Sequence, residues 1–127
     1  MNLQFEKQVE DKRGKILFLS LGTKKINIVE IKKGFARGGH FHNFLSTHII
    51  VYGKIELREE NLKSNVEQIK KISAPSIINV QQNTAHLFVA LEDSLFIEIF
   101  DGEYQAADHP KYRKIIDEIL HSSDNNC

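Results

Sequence analysis

The chain of 127 residues is poor in the residues that announce several common protein classes. It has one cysteine, Cys127, at its last position, so no internal disulfide can form and the terminal thiol is a poor candidate nucleophile. Tryptophan is absent and proline occurs twice. Neither sign of charge dominates: seventeen Lys and Arg balance seventeen Asp and Glu. Without a basic stripe there is no electrostatic footprint for nucleic acid or an anionic membrane. No apolar run approaches the roughly 20 residues needed to span a bilayer. The opening "MNLQFEKQVEDKRGK" has no apolar stretch of the kind found in a secretory signal. These absences lead us to expect a cytoplasmic protein with no nucleic-acid and no membrane partner.

What is present is a succession of short apolar segments separated by turn residues. Lys15–Leu21 ("KILFLSL") follows Arg13-Gly14, and Ile26–Ile31 ("INIVEI") alternates apolar with polar as a half-buried strand does. His48–Glu59 reads as two strand segments hinged at Gly53. Val66–Ile72, Ile77–Val80, Ala85–Leu91 and Leu95–Phe100 continue the pattern. Strands at such short, regular spacing predict an antiparallel sandwich or barrel. Only the end changes period: Tyr112, Ile115, Ile116, Ile119 and Leu120 recur at helical spacing behind Pro110, predicting an amphipathic helix over about 110–121. That helix would pack on the barrel or on a second subunit, with a frayed "SSDNN" beyond it. The 127 residues suit a single domain whose barrel core covers about 15–101.

The chemistry is concentrated in histidine. His40 and His42 are two residues apart, so within a strand they face one side of the sheet. Buried imidazoles are costly unless hydrogen-bonded or liganded. His86 stands at the start of another apolar segment. Three histidines at strand beginnings equal the number of protein ligands in many open catalytic metal sites. His48 and Tyr52 share the face of Ser46 if that strand is regular, and a bulge would turn them outward. His109 and His121 read as surface or capping residues.

This spacing resembles the first motif of the cupin superfamily: a glycine, five residues, His-x-His, three or four residues, Glu, six residues and a glycine. Gly34, His40, His42 and Gly53 fall on that frame, and Ser46 stands at the glutamate. The second motif is represented by Gln81, Asn83, His86 and Ala90, with Asn83 replacing a glycine that takes a left-handed turn. The resemblance implies an all-β cupin fold, a jelly-roll or double-stranded β-helix barrel with a short C-terminal helix, and a homodimer. It implies His40, His42 and His86 as metal ligands, for Zn, Fe, Mn or Ni. Because serine is a poor ligand, two outcomes follow: a three-histidine site with open positions, or no metal at all.

Within the cupins, "ARGGHFH" is similar to the Arg-Gly-x-His-x-His segment of sugar-nucleotide enzymes, the dTDP-4-keto-6-deoxyhexose 3,4-ketoisomerases and dTDP-4-dehydrorhamnose 3,5-epimerases. "EDKRGKI" and "FDGEYQAADHPKYRKIIDEIL" are similar to the beginnings and endings of such proteins. This narrower resemblance implies an isomerase or epimerase that moves a proton next to a ketone, a task suited to a neutral imidazole. His40 would be the base, with Arg37 beside the phosphates of the substrate, a nucleotide sugar; by placement alone, His48 is a candidate substrate-binding residue and Tyr52 and Tyr104 are candidate acids. The alternatives are a three-histidine metalloenzyme and a cupin that binds a small molecule without turnover.

Overall fold

A computed structural model describes residues 2–101 and 106–125. Among the described residues eleven strands run in chain order as β1 (Leu3–Asp11), β2 (Gly14–Leu21), β3 (Lys24–Ile31), β4 (Ala36–Phe41), β5 (Ser46–Tyr52), β6 (Lys54–Asn61), β7 (Glu67–Ser73), β8 (Ser76–Val80), β9 (Thr84–Ala90), β10 (Ser94–Asp101) and β11 (Ala107–Asp108); helix α1 (Pro110–Asn125) follows. They form two antiparallel sheets, in the orders β1-β2-β3-β10-β5-β8 and β11-β4-β9-β6-β7. Neighbours such as β3 and β10 are far apart in sequence, which is the crossing pattern of a jelly roll rather than a meander.

The apolar side chains of the two inner faces meet between the sheets. Val29, Ile31, Ile50, Ile55, Leu57, Val80, Phe88 and Phe96 are all nearly inaccessible there. Strand β9 is buried on both faces, which is why "AHLFVA" reads as an almost unbroken apolar run. Its even positions, His86 and Phe88, look inward. Its odd positions, Ala85 and Leu87, lie under Tyr112 and Ile116 of α1. The helix therefore packs on the outer face of the smaller sheet, and it extends through Asn125, so residues 122–125 of the polar segment expected to fray are helical. Tyr112 is fully buried, and its hydroxyl donates to Glu67 at 2.8 Å.

Two features escaped the pattern reading. Strand β1 was not expected, because it buries nothing: every residue is exposed and it pairs only with β2. Strand β4 depends on glycine. Gly38 and Gly39 both have positive φ, and a Cβ on Gly38 would meet the His86 carbonyl oxygen at 2.9 Å. The pair lets β4 bulge against β9 and brings His40 opposite His86 in the ladder.

Candidate metal centre and cavity

That register creates the site. His40 is on β4, His42 follows its last residue, and His86 is on the adjacent β9. The loop behind His42 is tied down by Asn83, whose backbone N–H donates to the His42 carbonyl at 2.7 Å. Asn83 has a φ of 57°, the left-handed conformation expected for it. The rings of His40 and His42 are 4.7 Å apart, those of His40 and His86 4.9 Å, and those of His42 and His86 5.5 Å. One nitrogen from each ring lies within 4.8 Å of the other two. Two nitrogens bound to one ion at about 2.1 Å sit roughly 3 to 4 Å apart, so small ring rotations bring all three onto a single cation. His42 also stacks on Phe44 and Phe100, which fixes its ring from the other side.

Burial keeps His40 and His86 in the form that a metal needs. Burial, and then the neighbouring His42 and Arg113, push the His40 pKa down to about 4. Burial and the other histidines hold His86 well below its ordinary range. Both are neutral at pH 7, with lone pairs available. The Nδ1 of His86 lies 3.4 Å from the Thr84 carbonyl; the tautomer protonated there leaves Nε2 as the ligand atom.

His48 comes from the opposite sheet and faces inward. It is 1% exposed, its ring is 5.8 Å from that of His86, and its Nε2 is 3.0 Å from the Ser46 hydroxyl. Burial, together with His42 and His40, lowers its pKa to about 3. Its Nδ1 has no hydrogen-bond partner among the described residues. Ser46 thus supports His48 where the cupin frame has a carboxylate, and the three-histidine cluster contains no acidic residue.

A cavity of about 570 Å³ opens beside the cluster. His40, His48 and His86 border it, with Phe18, Phe88 and Phe96 among its apolar walls. Arg37 also borders it, but its guanidinium is directed into the fold: Nε donates to the Glu30 carbonyl at 2.8 Å and Nη2 to the Gly14 carbonyl at 2.9 Å. Asp11 lies 3.8 Å away as its nearest carboxylate. As a phosphate ligand it would have to leave these carbonyls. Tyr52 is outside the cavity and 49% exposed. The β5–β10 register slips between its partner Leu95 and Phe96, a bulge that ends the inward alternation of Ser46, His48 and Ile50. Tyr104 lies outside the described residues.

Sequence reasoning did not single out Glu98 and Asn27, which face each other across β10 and β3 and border the same cavity. The Asn27 amide donates to Glu98 Oε2 at 3.3 Å. Burial raises the Glu98 pKa to about 7, against the opposing effect of that hydrogen bond. The signal was present in "FIEIF": glutamate occupies the inward parity between Phe96 and Phe100.

No family profile and no curated protein matches the sequence. The fold does have solved counterparts. Oxalate decarboxylase from Bacillus subtilis, a protein with Mn(II) centres, superimposes with a TM-score of 0.72 at 17% identity, covering 96% of this chain and 35% of that one. The Lactobacillus farciminis oxalate decarboxylase, solved with formate, gives 0.71 at 20% identity over 86% of this chain and 35% of that one. CapF, a capsular polysaccharide assembling protein from Staphylococcus aureus, gives 0.66 at 15% identity over 82% and 32%. The architecture is therefore the cupin fold. The chain spans about a third of the length of these solved chains.

Proposed function

We propose that the protein is a metal-binding cupin. It holds a divalent cation on His40, His42 and His86 and takes a small organic anion from the adjoining cavity. The observation that carries this reading is the convergence of three imidazoles within 4.8 Å at the edge of a cavity. Imidazole donors suit Zn, Fe and Ni, and the Mn(II) centres of the B. subtilis oxalate decarboxylase lend support to manganese. Such a cation supplies Lewis acidity and an anchor for an anionic oxygen. The protein's own part is to hold three rings, exclude water with phenylalanine walls and keep the donors unprotonated. Because Ser46 adds no carboxylate, the full dication charge is left for the ligand, which favours an anion over a neutral molecule.

Metal titration tests this. Protein stripped with chelator is expected to take up one equivalent of Zn(II), Mn(II) or Co(II), with His42→Ala and His86→Ala each weakening uptake at least tenfold. Failure of the unmutated protein to bind any of them refutes the reading.

The second reading is a proton-transferring sugar-nucleotide isomerase with His40 as base, favoured by the place of His40 on the cavity wall. A dTDP-4-keto sugar in deuterated buffer would then exchange hydrogen beside its ketone, and absence of exchange removes this reading.

A further inference from the structure

The cavity has a second polar pole. Its walls are phenylalanine, valine and isoleucine except at the histidines, at Arg37 and Gly38, at Asn27, at charged side chains of β1 and β3, and at one carboxyl in the middle of the large sheet. That carboxyl, Glu98, stands between Asn27 on β3 and His48 on β5 in one row across the sheet. Opposed residues of neighbouring strands bring their Cβ atoms to about 5 Å, and the His48 ring is 5.8 Å from the metal-ligand candidate His86. Glu98 therefore faces the same space as the histidine cluster, one side chain further along.

We propose that Glu98, anchored by Asn27 and flanked by His48, is a ligand subsite that hydrogen-bonds the far end of a small dicarboxylic acid whose near end meets the cation. This rests on the metal-binding reading given above. The pieces fit a ligand of that class. A cavity of about 570 Å³ is within the range of small-molecule sites and admits an acid of several carbons. A bare carboxylate facing a second carboxylate would repel it, but burial raises the Glu98 pKa to about 7, so about half of it carries a proton to donate at neutrality and most of it does below. The Asn27 amide occupies one oxygen, Oε2, and leaves the other side of the carboxyl for the ligand. His48 Nδ1, buried and without a hydrogen-bond partner among the described residues, borders the same pole.

The remaining charges on the cavity do not replace Glu98 in this role. Lys25 is paired with Glu6 at 2.6 Å, Arg37 is bonded to backbone carbonyls, and Lys7 of β1 lies over the Phe18 ring of β2. His40, His48 and His86 are the other titratable groups that border the cavity, and burial keeps them neutral.

The test compares succinate with butyrate, acids of equal chain length that differ in the second carboxylate, on Co(II)-loaded protein followed by its visible spectrum. Succinate is expected to bind about tenfold or more tightly than butyrate, the worth of one charge-assisted hydrogen bond. Glu98→Leu, an apolar residue suited to the inner face of a strand, should bring the two acids to equal affinity with cobalt uptake unchanged. Glu98→Gln should keep most of the succinate preference, because its amide still donates. Equal affinities in the unmutated protein, or an undiminished preference in Glu98→Leu, overturns the subsite. Protein that takes up no cobalt overturns the metal reading instead. Calorimetry of succinate with the metal-free protein then decides the subsite by itself: heat lost in Glu98→Leu supports it, and heat absent or unchanged overturns it.

Discussion

Acidifying the metal-free protein should unfold it through its histidines, with Glu98 opposing the trend. His40 and His48 titrate at about 4 and about 3 in the fold, against an ordinary 6.5. Below pH 6.5 the unfolded chain therefore binds protons that the folded one refuses. The stability these neutral rings permit is complete above 6.5 and is lost as pH falls toward the folded values. At about pH 5 each of the two is roughly 1.5 units below its unfolded pKa, so each withdraws about 2 kcal/mol. His86, also lowered, adds to the loss. Glu98 has the opposite sign. Its pKa rises from 4.5 to about 7 on folding, so it destabilises the fold increasingly from 4.5 upward, by about 3 kcal/mol once pH exceeds 7. Between about pH 8 and about pH 5 acidification returns roughly 2 to 3 kcal/mol of this. These are large fractions of an ordinary stability of about 5 to 15 kcal/mol. Urea unfolding at several pH values measures the sum, and Glu98→Gln isolates one part of it. The variant should lose about 2 to 3 kcal/mol more than its parent between pH 8 and pH 5. Parallel pH profiles for the two proteins would show that the Glu98 carboxyl is not held in its protonated form. A flat profile for the parent would refute the histidine argument as well, unless the two trends cancel, which the variant would reveal.

Two further perturbations separate structural from ligand-directed roles. Arg37→Lys removes at least one of the bonds to the Gly14 and Glu30 carbonyls and should lower stability by about 1 to 3 kcal/mol in urea. Unchanged stability with weakened ligand binding would instead make Arg37 a ligand residue. Gly53→Ala places a Cβ against the Ser94 hydroxyl and the Asp93 carbonyl at a φ of 96°, and should cost about 3 kcal/mol or more; a thermal midpoint within a degree or two of the parent would contradict this.

The sequence by itself determined the class of fold and the members of the histidine cluster, because both are written in short-range spacing. Alternation with turn residues every few positions dictates strands, and His-x-His behind paired glycines puts two imidazoles at one place. Asn83 and Gly53 were legible for the same reason, since a left-handed turn is a local demand. What the tertiary structure alone decided depends on partners distant in the chain. Arg37 is held by Gly14, 23 residues away. The outward turn of Tyr52 follows from a bulge against β10 that comes after His48 and Ile50, which no spacing within β5 reveals. The serine that replaces a carboxylate acquires its role only when folding sets its hydroxyl 3.0 Å from His48. Glu98 could be seen in the sequence only as one charge in an apolar strand. Its neighbours Asn27 and His48 lie 71 and 50 positions away, and the sheet order β3-β10-β5 makes them a single row across the cavity wall. Desolvation, the cause of its raised pKa, is a property of that enclosure and not of the residue.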